Sequence, residues 1–193
     1  MDADPKIIDR RQIHKGRKFD FELLTIQRPG GRTIQREVVR HPGAVVVVPI
    51  TDDGRIVLIR NFRVTVAERL WECCAGTMEP PEPAAACAAR ELTEETGYRA
   101  ATLTDLGWFY TTPGLTDERM HAFAATGLTH VGQDLEEDET IDVQPVQTEE
   151  VMRMIGRGEL RDAKSMLAIL LAERAGLLHA GSGPSGRRGE EGC

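Results

Sequence analysis

The sequence predicts a mixed α/β fold: a mixed sheet with helices on its faces, preceded by an N-terminal antiparallel sheet. Three observations carry this. Two loosely alternating runs, residues 21–27 and 34–40, flank the turn Pro29-Gly30-Gly31 and read as a hairpin. Residues 44–50 form a continuous Val-rich run, the pattern of a strand buried on both faces. Further strands are then interspersed with stretches of helical spacing, the first of them Ala-rich and ending at Gly97.

Taken in order, the elements follow from local chemistry. His41-Pro42-Gly43 interrupts the chain, and Pro42 cannot donate to a central ladder. Asp52-Asp53-Gly54 is a hairpin turn leading to a return strand at 55–60. Residues 69–75 read as one short strand ending at Gly76, on which Cys73 and Cys74 would face opposite sides. After the loop Glu79-Pro80-Pro81-Glu82-Pro83, a helix at about 82–96 is expected to bury a narrow stripe of Ala85, Ala88, Ala89, Leu92 and Thr96. Gly97 sits where a left-handed cap belongs. Strands at 102–110 and 119–127 enclose a loop, and the acidic run Glu136-Glu137-Asp138-Glu139 precedes a strand at 141–146. Thr148 is expected to cap the next helix, and a last helix at 162–177 places Met166, Ile169, Leu170 and Arg174 at helical spacing. The expected organisation is an N-terminal sheet (1–42), a main domain (43–178) and a disordered Gly/Ser/Arg/Glu-rich tail (179–193).

Composition excludes several functions. With 193 residues and 40% apolar content the chain can build one core and a small accessory sheet. Its net charge of −7 disfavours nucleic acid and anionic membrane, which demand clustered Lys and Arg. An acidic protein that handles phosphates needs a bridging cation. The polar Met1-Asp2-Ala3-Asp4 start predicts no secretory signal, and no run approaches the ~20 apolar residues of a membrane span. Cys73, Cys74, Cys87 and Cys193 show no CxxC spacing, so we expect reduced thiols in a cytoplasmic protein rather than a zinc site.

The segment from Gly76 to Tyr98 carries the chemistry. Glu91 and Glu95 share a helix face, and Glu94 flanks it. Like charges at these spacings cost about 0.2–0.5 kcal/mol each and raise one another's pKa. A divalent cation removes both costs, and hard carboxylate oxygens suit Mg²⁺ or Mn²⁺. Arg90 is placed to pair with Glu94, and Gly76 permits a sharp turn or a close ligand approach. An isolated acidic run on a helix is usually only a solvated face. Here it is embedded in a longer pattern: Gly76, Glu82, Arg90-Glu91-Leu92, Glu94-Glu95 and Gly97-Tyr98. That pattern resembles, without departure, the signature of the Nudix hydrolases, and the likeness extends over roughly residues 20–178.

The resemblance implies an α/β/α sandwich that hydrolyses nucleoside diphosphates linked to another moiety. Within the family the chain is similar to the ADP-ribose pyrophosphatase branch. Pro113 lies at that branch's offset from Gly97, inside Tyr110-Thr111-Thr112-Pro113-Gly114. The Arg36–Arg40 strand, the Arg60-Asn61-Phe62-Arg63 segment and Trp71-Glu72 before Ala75-Gly76 agree. Cys73-Cys74 stand where the branch has Leu-Pro, and Pro81 stands where Gly is common.

By that resemblance Glu91, Glu95 and the Ala75 carbonyl would hold Mg²⁺, with Mn²⁺ possible, and Glu94 would act beside them, held by Arg90. Glu72 would support substrate or metal. Glu139, or Glu137, would orient or deprotonate the attacking water. Arg63 and Arg36 would meet the substrate's phosphates or terminal ribose, with Pro113 in the substrate loop. The implied substrate is ADP-ribose and the implied assembly a homodimer that swaps its N-terminal sheets. Other nucleoside diphosphate sugars, GDP-mannose or ADP-glucose, are rival substrates, and a non-catalytic ligand-binding module is a rival class.

Overall fold

The structure, a computed structural model, describes residues 4–135 and 140–178. The tail at 179–193, with Cys193, and the candidate bases Glu137 and Glu139 lie outside the described residues. An N-terminal sheet comprises β1 (Lys6–Lys15), β2 (Asp20–Gln27) and β3 (Thr33–Arg40), paired antiparallel in that order. The main body then runs through β4 (Ala44–Pro49), β5 (Arg55–Arg63), β6 (Glu68–Glu72), β7 (Cys74–Thr77) and α1 (Ala84–Thr96). It continues with β8 (Tyr98–Tyr110), β9 (Arg119–His130), β10 (Ile141–Gln147), α2 (Thr148–Gly156) and α3 (Ala163–Arg174).

The central sheet has the order β7-β4-β9-β8, with β4 parallel to β9 and the other pairs antiparallel. A second sheet has the order β10-β5-β6. The Val run of β4 is buried on both faces, as its composition predicts. Val45 and Val47 pack with Cys74, Cys87, Ala88 and Leu92 under α1. Val46 and Val48 pack with Leu58, Ala122, Leu160 and Ile169 beneath α3. These four valines are fully buried, which contributes on the order of 1.5–3 kcal/mol apiece. The result is an α/β/α sandwich with β7 beside the helix that carries the acidic residues. None of the described helices is long and apolar enough to cross a membrane.

Several expectations need correcting. Strand β1 was not foreseen, because every one of its residues is exposed and no face imprints a two-residue alternation. Residues 69–75 are not one strand. They divide into β6 and β7, which belong to different sheets, because the Cys73 amide leaves the ladder and donates to Ser165 Oγ at 2.8 Å. Cys73 and Cys74 nevertheless face opposite cores. In α1 the buried residues are Cys87, Ala88, Leu92, Glu95 and Thr96, whereas Ala85 and Ala89 are exposed. In α3 they are Ser165, Ala168, Ile169 and Ala172, with Leu170 turned outward. Small and polar residues hold those inner positions, so hydrophobicity alone aims the faces wrongly. Thr148 does not cap α2. Gln147 is the N-cap, without a side-chain hydrogen bond, and Thr148 Oγ1 instead donates to the Gly54 carbonyl at 2.7 Å.

Candidate active site

The site forms where α1 packs on β7. Alanines give α1 its helical propensity and let it lie close to the sheet. Gly97 ends it at φ 73°, with its amide on the Thr93 carbonyl, and a Cβ there would stand 2.9 Å from the Gln133 nitrogen. The helix therefore stops where the next strand must begin, and its last turns are fixed over the Ala75-Gly76 strand. Glu95, almost fully buried, accepts from the Ala75 amide at 2.9 Å. Glu91 lies over Gly76 so closely that a Cβ on that residue would meet its carboxylate carbon at 1.9 Å. Only glycine leaves that space.

Arg90 organises the surrounding charges. Its guanidinium reaches Glu82 at 3.1 Å, Glu91 at 2.7 Å and Glu94 at 2.9 Å. The pairing with Glu94 is the one its four-residue spacing anticipates. The same guanidinium donates to the Thr77 carbonyl at 3.4 Å, which ties the helix to β7. Hydrogen bonding to Arg90 holds the Glu82 carboxyl below the usual carboxylate range.

The donor set suits a hard divalent cation. Glu91, Glu94 and Glu95 occupy the C-terminal half of α1, where the helix dipole is unfavourable to anions and no basic residue stands in the last turn. Arg90 is shared by Glu82, Glu91 and Glu94 among the described ion pairs, and the α1 carboxylates are hard oxygen donors of the kind Mg²⁺ takes. Among the described residues no three His, Cys, Asp or Glu side chains make a ready metal cage. Mg²⁺ does not require one, since it takes one or two carboxylates and fills its shell with water and substrate phosphate. Gly76 lets the Glu91 carboxylate lie against the strand, beside the Glu95 carboxylate that accepts from the Ala75 amide, so both stand over Ala75-Gly76.

Two clefts meet here. One, of ≈ 680 Å³, is lined by Ala75, Gly76, Glu91, Glu94, Glu95 and Asp134 and by the β1–β2 turn. The other, of ≈ 460 Å³, is lined by Phe109, Tyr110, Thr111, Thr112 and Lys164. Arg63, Ala75, Gly76 and Thr77 border both. Each falls within the size range of small-molecule sites.

The remaining candidates are dispersed. Glu72 is fully buried and lines neither cleft; it accepts from Arg63 Nε and Nη2 at 2.8 and 2.6 Å and from Lys164 Nζ at 2.7 Å. Burial alone would raise its pKa, but the Arg63 fork and Lys164 more than offset that and hold it below the ordinary value. Arg63 stands at the junction of the clefts with its guanidinium bound to Glu72. Arg36 lies exposed on β3 and borders neither cleft; among the described residues it donates to the neighbouring Gln35 carbonyl. Pro113 is exposed beside Thr112 at the edge of the second cleft.

Sequence reasoning missed Lys164, which no helical-face argument isolates, and Lys15, Arg17 and Lys18 on the β1–β2 turn. The signal for the turn was available: three basic residues in four, around Gly16. Cys73, Cys74 and Cys87 are free and buried. Desolvation pushes the Cys73 and Cys87 thiols up to about 12, so neither is a nucleophile.

Known proteins resemble this chain over most of its length. Residues 39–169 match the NUDIX domain family. An ADP-ribose pyrophosphatase of Bacillus subtilis (strain 168) is 38% identical over 168 residues, covering 86% of this chain and 91% of that protein. A methanol dehydrogenase activator of Bacillus methanolicus is 35% identical over the same shares of the two chains. A crystal structure of an ADP compounds hydrolase superposes with a TM-score of 0.79 at 24% identity, covering 90% of this chain and 94% of that one, and so shares the fold.

Proposed function

The chain belongs to the NUDIX domain family, and from that premise we propose that it hydrolyses the diphosphate bond of ADP-ribose to AMP and ribose 5-phosphate. The observation that carries this is the position of the α1 carboxylates. Glu91 and Glu95 pack on Ala75-Gly76, which border both clefts. A diphosphate seated there would have a nucleoside on one side and a sugar on the other.

Glu91, Glu95 and the Ala75 carbonyl would hold Mg²⁺, or Mn²⁺ in its place. When bound, the metal neutralises phosphate oxygens and acidifies the attacking water. Arg90 orients Glu94 and Glu91 and keeps their charge directed into the cleft. Glu72 and Lys164 hold Arg63 at the junction of the clefts. Water attacks phosphorus, the bridging P–O bond breaks, and the water's proton passes to a nearby carboxylate. Glu139 and Glu137 are the candidates for that role.

The homodimer reading draws on the N-terminal sheet. Ile7, Ile8, Ile13 and Phe19 are 47–52% exposed, and a partner's surface would cover them. Light scattering at micromolar concentration should give twice the mass of 21.3 kDa; the monomer mass would refute the dimer. The buried thiols suit a reducing, cytoplasmic setting.

The activity is tested by incubating the protein and Mg²⁺ with ADP-ribose, ADP-glucose, GDP-mannose, NADH and diadenosine polyphosphates. AMP forming fastest from ADP-ribose is the expected result. Faster release of AMP or GMP from another sugar nucleotide would replace the substrate but keep the site. No product with either metal would favour the ligand-binding module.

A further inference from the structure

An α-helix leaves the carbonyls of its last turn without intrahelical donors, and its dipole makes that end negative. In α1 this end carries Glu94 and Glu95, and its last turn holds no basic residue. The chain that follows β9 meets the carbonyls instead. The Asp134 amide donates to the Glu94 carbonyl at 3.1 Å, and the Val131 and Gly132 amides donate to the Gly97 carbonyl at 2.7 and 3.2 Å. The Glu95 carbonyl accepts from a side chain, Gln133 Nε2, at 2.7 Å.

Gln133 does more than cap the helix. A carboxamide nitrogen has two N–H donors, and this one also reaches the Ile141 carbonyl at 3.4 Å. Ile141 opens β10, which belongs to the sheet β10-β5-β6, whereas β9 belongs to the central sheet. One side chain therefore ties the acidic end of α1 to the first residue of β10. The fit is close: a Cβ on Gly97 would stand 2.9 Å from both the Gly132 carbonyl carbon and the Gln133 amide nitrogen. The run Glu136-Glu137-Asp138-Glu139, with the two candidate bases, lies between Gln133 and Ile141 in the sequence.

We propose that Gln133 is a positioning residue of the active site: it fixes Glu94 and Glu95 relative to the start of β10, and so sets the spacing between the α1 carboxylates and the chain leading into that strand. This rests on the diphosphatase reading and adds a residue to it. Gln133 lines neither cleft, so its loss should lower kcat and leave KM in place. Outer partners of a metal site typically cost about 10–100-fold. Solvent reaches Gln133 and water can replace part of the strap, so the effect should be about 10-fold.

Gln133→Met keeps the length of the side chain and removes both donors. Steady-state kinetics of the full-length variant, on whichever sugar nucleotide the protein hydrolyses best, should show kcat about 10-fold lower with KM within about 2-fold of the wild type. Gln133→Lys, whose ammonium can donate to both carbonyls, should recover most of the loss. Amide hydrogen exchange at residues 94–97 does not depend on turnover. It should quicken about 5-fold in Gln133→Met, as the loss of one hydrogen bond implies, and return in Gln133→Lys. Faster exchange with an unchanged kcat would overturn the proposal, since the strap would then serve the fold alone. So would unchanged exchange, a rise in KM without a fall in kcat, or a loss that Gln133→Lys does not recover. Failure of the substrate reading is distinguishable: it shows in the wild-type protein as poor turnover of ADP-ribose.

Discussion

Residues 72–77 are held from two sides. From one side α1 reaches them through Glu95 on the Ala75 amide and Arg90 on the Thr77 carbonyl, at 2.9 and 3.4 Å. From the other, the first turn of α3 reaches them through Lys164 on Glu72 and Ser165 on the Cys73 amide, at 2.7 and 2.8 Å. The two grips use similar bonds and serve different ends. The α1 contacts place carboxylates along a cleft, where the proposed cation and substrate would meet them. The α3 contacts are satisfied within the protein: Asp162 caps Ser165, Lys164 bridges Asp162 and Glu72, and Arg63 completes the pair. Damage to the first grip should remove activity and spare the fold, whereas damage to the second should weaken the fold.

The largest expected effect is on the α1 side. Replacing Glu95 with Gln should lower kcat/KM by at least about 100-fold, because even outer partners of a metal site typically cost 10–100-fold. Thermal melting should change little by comparison. Gly76→Ala sharpens the same point. The added methyl meets the end of the flexible Glu91 side chain, so the chain still folds but the carboxylate moves. Activity should fall about 100-fold, the usual penalty for a displacement of about 1 Å at a reacting centre. A Gly76→Ala enzyme with normal kinetics would break the contrast from the functional side.

On the α3 side, Lys164→Met leaves Glu72 buried with Arg63 alone. Denaturant unfolding should show a loss of about 2 kcal/mol. The pH dependence follows from the depressed pKa of Glu72. A carboxyl whose folded pKa lies below its unfolded value adds stability above the unfolded pKa, about 4.3, and loses that contribution as pH falls through the folded pKa. Acid titration of stability should therefore be shallower in Glu72→Gln than in the wild type. The smallest effect concerns the thiols: alkylation at neutral pH should leave Cys73, Cys74 and Cys87 unmodified in the folded protein.

The same contrast explains what was legible beforehand. The α1 grip could be read from the sequence because its residues repeat at helical spacing and end at a capping glycine. Carboxylates at four-residue intervals announce a shared face whatever packs against them. The α3 grip could not. Lys164 and Ser165 act on residues 92 positions away, and nothing periodic links them to Glu72 or Cys73. The division of 69–75 into two strands has the same origin, because Ser165 takes the amide that a continuous ladder would have used. Arg36 lies outside both clefts of the single chain, because the alternation of its strand does not say which side of the N-terminal sheet faces the cleft. The turn at Gly16, which does face it, belongs to a hairpin whose first strand has no buried side to betray it.

The most direct test of the central claim, that the α1 carboxylates run Mg²⁺-dependent hydrolysis, is AMP release from ADP-ribose by Glu94→Gln beside the wild type. Glu94 is half-exposed and pairs with Arg90 alone among the described ion pairs, so its replacement should leave the circular dichroism and melting temperature unaltered. Loss of turnover across a full Mg²⁺ titration is the predicted result. Turnover equal to wild type at every Mg²⁺ concentration would contradict the assignment of these carboxylates to the reaction.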